Sequence, residues 1–332
     1  MAGIPDREPC RQLGRRRRKM SKRNGGYEDA LCPEMAKHSE EVVRHLSRNE
    51  ACWCGSGRKY KTCHAAFDDK LKKYSLMGKI TPDHSILKTP EQIAKIKESC
   101  AVNIAILDRI EKEIHEGMAT SEIDKIVYDM SVEADGIPAP LNYEGYPYSV
   151  CTSVNEQVCH GFPSDKVILK SGDIVNVDCS TILNGFFSDS SRMFCIGEVS
   201  EEKQRLVKIT REACYEGLKY CKPWGFLGDV GQAVHDYCYD NGYTVVREIG
   251  GHGVGLEFHE DPWVGYHTRK GTEMLLVPGM IFTIEPMVNM GKEDIVTDKS
   301  NGWEVSTKDG KPSAQWEIMV LITEEGNEVL CW

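Results

Sequence analysis

The chain has 332 residues, 40% of them hydrophobic, with 51 Asp+Glu against 41 Lys+Arg and a formal net charge of −10. That length suits one large domain plus a small appendage, and the composition is ordinary for a soluble globular protein. No run of eighteen apolar residues is available to span a bilayer, and no apolar segment follows the basic N-terminus as a secretory signal requires.

Residues 1–48 read as a basic, polar N-terminal extension. Within residues 1–25, nine Lys/Arg stand against Asp6 and Glu8, a net of +7 that leaves −17 on the remainder. An acidic body argues against a nucleic-acid binder. The arm, with its run Arg15 to Arg18, reads as a solvated tail or as an electrostatic contact to RNA or ribosome. Met20 is an alternative start residue to Met1. Fourteen scattered cysteines without a secretory signal indicate free thiols in a reducing cytoplasm.

Residues 49–75 hold the segment CWCGSGRKYKTCH. Its Cys52, Cys54, Cys63 and His64 supply three thiolates and one imidazole, a full tetrahedral set for a structural zinc. Four protein ligands leave no open position for catalysis, so the expected role is docking. Gly55 and Gly57 permit the turn between the ligand pairs. Residues 76–89, punctuated by Gly78 and Pro82, read as a linker, and the pattern is globular from residue 90 to 332.

Thr89-Pro90-Glu91-Gln92 is a capping box with proline at the first helical position. Ile93, Ile96, Cys100, Ile104, Leu107 and Ile110 then mark one apolar face, and Gly117 is expected to end the helix. A second helix is predicted from about Ser121 to Asp135, stopping at Gly136. Strands follow at 173–183 and 186–196, then helices at 201–221 and 227–241, then strands at 244–250, 280–289, 303–307 and 314–323. The order helix, helix, strands thus occurs twice, which predicts an α+β fold of two related halves.

Asn184-Gly185 between two strand-like runs predicts a two-residue hairpin turn. Asp189 then faces Ser180, and Asp178 lies two residues along on the same face, a diagonal neighbour of Asp189. Three further candidate ligands sit in distinctive settings: His252 in GGHGVG, Glu285 in FTIEPM and Glu317 in SAQWEIMV. Glu285 and Glu317 interrupt apolar strands, where a bare carboxylate is costly to bury and a metal removes the cost. Four carboxylates and one imidazole form an oxygen-rich set able to hold two divalent cations, which can share and activate a water. This predicts a hydrolase. Oxygen-rich ligation favours Mn, Fe(II) or Co over a thiolate-type Zn site.

Residues 90–330 resemble a type I methionine aminopeptidase of the pita-bread fold. The resemblance rests on CTSVNEQVCHG, VNVD, DSSRMF, GGHGVGLEFHE, TIEPM and SAQWE. It implies a curved antiparallel sheet between two helix-helix-strand halves. It also implies that Asp178, Asp189, His252, Glu285 and Glu317 ligate two active-site metals, Co, Mn, Fe(II) or Zn, with Asp189 and Glu317 bridging. By the same resemblance His160 and His259 contact substrate and stabilise the transition state, and Glu285 is the general base. Tyr143, Tyr146, Cys151, Phe258 and Trp303 correspond to the pocket for the methionine side chain. A polarizable slot of this kind suits a flexible thioether. The expected activity is removal of the initiator methionine from nascent chains with a small second residue. One departure is visible: the family usually has His-Thr after the last glutamate, whereas Ile318-Met319 stands here. The cysteine segment resembles the SEC-C motif, whose docking partner is expected to be the ribosome. A cytoplasmic monomer is the expected state. Proline-specific aminopeptidases and prolidases share the ligand set but usually carry a larger folded N-terminal domain. A metal-free binding module would not need intact ligands.

Overall fold

The computed structural model describes residues 46–332. The basic arm and all but the last three residues of the 1–48 extension lie outside the described residues. After the cysteine segment comes helix α1, Ala65–Leu76. The stretch 76–89, expected to be a linker, is packed on the body rather than solvated. Ile80 bridges Met274, Lys79 Nζ donates to Gly271 O at 3.1 Å, and Ile86 and Leu87 are buried in the main core. The reason is apolar: Ile86-Leu87 forms a small hydrophobic anchor inside an otherwise polar segment.

Helix α2 spans Pro90–Glu113, and its capping box forms as expected. Thr89 Oγ1 accepts from the Gln92 N–H at 3.3 Å, and Gln92 Oε1 accepts from the Thr89 N–H at 2.8 Å. Ile96, Cys100, Leu107 and Ile110 are buried as the periodicity predicts, while Ile93 and Ile104 are half-buried. Buried Ser99 and Asn103 share that face and bond the 174–195 hairpin through Thr181 O and Cys179 O. The helix ends four residues before Gly117, because Ile114 already takes an extended conformation. Helix α3, Thr120–Glu133, ends short of Gly136, and Asp135 takes the left-handed turn with φ 57°.

The hairpin Ile174–Leu183 / Phe186–Cys195 has the register derived from its turn, with Ser180 opposite Asp189. Asn184 and Gly185 have φ of 52° and 83°, as a type I′ turn demands. Cys151–Val154 adds on the other side of the first strand, with Cys151 opposite Asp178. Helices α4 (Glu201–Leu218) and α5 (Leu227–Asp240) open the second half. Its five-stranded sheet runs in the order Asn327–Cys331, Ile318–Ile322, Ile281–Ile284, Gly251–Gly253, Glu260–Val264. All strand ladders among the described residues are antiparallel.

Four expected strands are shorter than the sequence suggested. The 280–289 run breaks into Ile281–Ile284 and Met287–Asn289, and the 314–323 run into Ser313–Gln315 and Ile318–Ile322. The breaks fall at Glu285-Pro286 and Trp316-Glu317. Pro286 has no N–H for a ladder, and each break turns a carboxylate toward the cleft between the two halves. The 244–250 run reduces to Thr244–Val245, and 303–307 to Val305–Thr307. No described helix is long and apolar enough to cross a membrane.

Candidate metal centre and substrate pocket

The two hairpin aspartates, the Gly251–Gly253 strand and the two strand breaks meet in one cleft. His252 Nε2 lies 3.4 Å from Glu285 Oε1 and 3.7 Å from Asp189 Oδ2. Ligand atoms of Asp189, His252 and Glu317 all lie within 4.8 Å of one another. Asp178 joins through Gln315, whose amide bonds it and also donates to Glu285 Oε2 at 3.2 Å. All five residues expected from the sequence therefore converge.

Burial pushes Asp178 up to about 7, and it drives Asp189, Glu285 and Glu317 well above the carboxylate range, with the neighbouring carboxylates adding repulsion. Burial holds His252 down near 4, so its imidazole is neutral at pH 7. Its Nδ1 faces Gly253 O at 3.0 Å, which leaves Nε2 free as a ligand atom. Glu317 is 1% exposed, and its Oε1 has no hydrogen-bond partner. Four crowded carboxylates, an orphaned carboxylate oxygen and a neutral imidazole are a poor arrangement for an empty protein interior. They are a good one for hard or borderline divalent cations.

The periphery orients these groups. Ser180 Oγ donates to Asp189 Oδ1 at 2.7 Å, and Thr283 Oγ1 donates to Glu285 Oε1 at 2.7 Å. Thr283 Oγ1 also accepts the His252 N–H at 3.0 Å, so one hydroxyl links two candidate ligands. The Glu285 N–H donates to Tyr266 Oη at 2.6 Å. Thr283, Gln315 and Tyr266 were not singled out from the sequence. A signal existed for two of them: Thr283 and Gln315 stand two residues before Glu285 and Glu317, a spacing that in extended chain puts side chains on one side.

Beside the carboxylates, the His252 and His259 rings are 4.2 Å apart. His259 sits at the exposed rim with Nδ1 3.0 Å from Tyr143 Oη. Desolvation, with His252 and His160 nearby, holds it near 3. Burial likewise lowers His160, which packs against Trp303 at 5.8 Å between centroids. Tyr143 meets Phe258 at 4.9 Å, and Phe258 stacks on Phe187 at 6.1 Å. Buried Tyr146 packs edge-on to Trp303 at 5.2 Å, its hydroxyl shared between Val150 O and Gly161 O. Cys151 is buried against Tyr146. Cys159 is buried, so it forms no accessible thiol beside His160. Ile318 is fully buried in the main core opposite Ile284 and is not a cleft residue.

In the N-terminal module His64 Nδ1 is 3.2 Å from both Cys52 Sγ and Cys63 Sγ, and Cys54 Sγ is 3.6 Å from Cys63 Sγ. These separations match the edges of a small tetrahedron, and the four ligand atoms lie close enough to surround one metal ion. Burial, with the neighbouring Cys63 and Cys54 thiols, pushes the Cys52 thiol up to about 12, a state that a metal reverses.

Residues 94–324 match metallopeptidase family M24, and residues 48–66 match the SEC-C motif. The chain belongs to metallopeptidase family M24. A methionine aminopeptidase of Chlamydia pneumoniae is 43% identical over 288 residues, 86% of this chain and 98% of that protein. The Escherichia coli K12 methionine aminopeptidase is 44% identical over 74% of this chain and 92% of its own length. The crystal structure of methionine aminopeptidase from Rickettsia prowazekii superposes with a TM-score of 0.73 at 38% identity, covering 74% of this chain and 99% of that one. The pita-bread architecture expected from the sequence is the M24 fold, and the chain is a metallopeptidase.

Proposed function

We propose that this protein removes the N-terminal initiator methionine from nascent proteins and peptides, preferring a small second residue. The observation that carries the reading is the convergence of Asp178, Asp189, His252, Glu285 and Glu317 in one cleft, with Glu317 Oε1 left without a partner. The near full-length identity to methionine aminopeptidases supplies the substrate class. When bound there, two divalent cations, Co, Mn, Fe(II) or Zn, lower the pKa of water and offset the charge of the carboxylates.

The residues divide the remaining work. Glu285, held by Thr283 and Gln315, is the general base that accepts the proton of the attacking water. His259 Nδ1 lies within hydrogen-bond distance of Tyr143 Oη; with the phenol as donor, the imidazole proton sits on Nε2, where it is available to the developing oxyanion. His160, braced against Trp303, holds the scissile amide. Cys151, Tyr143, Tyr146, Phe258 and Trp303 enclose the thioether of methionine. These aromatic walls exclude water from the scissile bond.

The same reading assigns a structural zinc to Cys52, Cys54, Cys63 and His64. It divides the chain into an extension (1–48), a zinc motif (49–75), a linker that packs as a strap (76–89) and a catalytic domain (90–332). It takes the protein to be a cytoplasmic monomer that meets its substrate at the ribosome through the zinc module. Ribosome co-sedimentation that is unchanged by Cys52→Ser with Cys63→Ser would remove the docking role. The activity is tested by methionine release from Met-Ala-Ser beside an Ala-Pro-Ala control, using metal-stripped protein supplied with Mn(II), Fe(II) or Co(II). Release from the first peptide alone is expected. Cleavage of the control moves the protein to the proline-specific branch of the family.

A further inference from the structure

Lys88 lies in the strap between buried Leu87 and the N-cap Thr89, and its side chain is wholly removed from solvent. Its Nζ donates to Glu260 Oε2 at 2.6 Å and to Ile86 O at 3.1 Å. A buried ammonium is unfavourable unless paired and hydrogen-bonded, and an apolar side chain could fill the same place without that cost. The work of its partner gives the charge a purpose. Glu260 Oε1 accepts the Leu256 N–H at 2.9 Å and the Glu257 N–H at 3.4 Å. One carboxylate thus closes the 255–260 turn that carries Phe258 and His259.

Two further contacts tie Lys88 to the cleft walls. A Cβ on Gly255 would lie 2.7 Å from Ile96 Cδ1 and 3.4 Å from Lys88 Cε, so the start of the turn passes close to both side chains. The Lys88 N–H donates to Gly279 O at 2.8 Å, just before the Ile281–Ile284 strand that leads to Glu285. Upstream, the contacts continue to the metal module. Asp68 of α1 accepts from Trp53 Nε1 at 3.2 Å and from Tyr60 Oη at 2.7 Å, and His84 Nε2 of the strap lies 2.8 Å from it. The Trp53 ring is 4.4 Å from both His64 and His84.

We infer that Lys88 and Glu260 are positioning residues. The pair fixes the turn that bears Phe258 and His259 and joins it to the strap that carries the N-terminal metal module. Both residues have protein groups as the side-chain partners given above. They act through His259 and Phe258, so the kinetic consequence rests on the aminopeptidase reading.

The test uses the full chain with Lys88→Met, Glu260→Gln and the double variant, read by amide hydrogen exchange and by kinetics on Met-Ala-Ser. In Lys88→Met the amides of residues 256–259 exchange roughly tenfold faster, while those of α2 and the 174–195 hairpin keep wild-type rates. Its kcat/KM falls roughly tenfold, as a displaced catalytic side chain requires, with the bound-metal count unchanged. In the double variant the glutamine carbonyl still caps Leu256 and no unpaired charge is buried, so protection and activity largely return. Wild-type exchange over 256–259 in Lys88→Met overturns the inference. So does exchange that rises uniformly along the chain, or a double variant no better than the single ones. If Lys88→Met does not fold, Glu260→Gln and the double variant carry the same comparison. A wild-type protein that releases no methionine removes the aminopeptidase reading and leaves the exchange result standing on its own.

Discussion

Replacing Thr283 by valine removes one oxygen from a fully buried site and disturbs two ligands at once. The hydroxyl donates to Glu285 Oε1 at 2.7 Å and accepts the His252 N–H at 3.0 Å. A hydrogen bond to an ionised carboxylate contributes about 1.5–3 kcal/mol, and an orphaned buried N–H costs about 1–3 kcal/mol. Together, with partial relaxation, these give a loss of about 3 kcal/mol in the metal-loaded protein. At roughly 1–2 °C per kcal/mol for a chain of this size, Tm falls by roughly 3–6 °C. Partners that orient metal ligands also set affinity, so Mn(II) binding weakens by about 10- to 100-fold. Thr283→Ser keeps both bonds and stays within about 1 kcal/mol of wild type. Calorimetric Mn(II) titration and thermal unfolding with and without metal measure both quantities. Wild-type Mn(II) affinity in Thr283→Val, in folded protein, would falsify the claim that this hydroxyl organises the centre.

Other perturbations separate the parts of the account. Glu317→Gln weakens one carboxylate of the proposed metal set, so bound metal per chain falls and kcat drops by about a thousandfold or more, roughly 4 kcal/mol, measured by elemental analysis beside peptide kinetics. In chelated protein, stability falls as pH rises: Asp178 contributes fully below its unfolded value near 3.8, and that contribution is lost as pH rises toward about 7. Asp189, Glu285 and Glu317, shifted the same way, extend the loss to higher pH, so Tm of the chelated protein at pH 8 lies below that at pH 5.5. Metal loading abolishes the trend, and a Tm that rises with pH in the chelated protein contradicts it. Ile318→His restores the residue usual in the family, but it places an imidazole in the main core, and about 1–3 kcal/mol of stability is lost without a gain in kcat/KM.

How much was legible depended on the range of each interaction. The hairpin register followed from Asn184-Gly185 alone, because turn chemistry fixes which residues face one another. The cap of α2 was equally local. The breaks at Glu285-Pro286 and Trp316-Glu317 were not legible as breaks, since an apolar run reads as one continuous strand until the tertiary structure turns the carboxylate inward. Gly117 and Gly136 were plausible helix stops, yet the backbone turned earlier, at Ile114 and Asp135. The packing of the strap is not legible for a similar reason: Ile86 and Leu87 are only two apolar residues in a polar segment, and their partners lie in the second half of the chain. Lys88 and Glu260 are 172 residues apart, so no local pattern announces the pair. The five candidate ligands were legible because each stood in an unusual setting, while their orienting partners Thr283, Gln315 and Tyr266 needed the geometry.

The most direct measurement titrates Mn(II) into metal-stripped protein while following methionine release from Met-Ala-Ser and counting bound metal in the same samples. The account predicts no release without metal, release that rises with Mn(II) bound at the five-ligand cleft, and no cleavage of Ala-Pro-Ala. Folded protein that fills the cleft with Mn(II) and still releases no methionine, with Fe(II) and Co(II) failing in the same way, contradicts it.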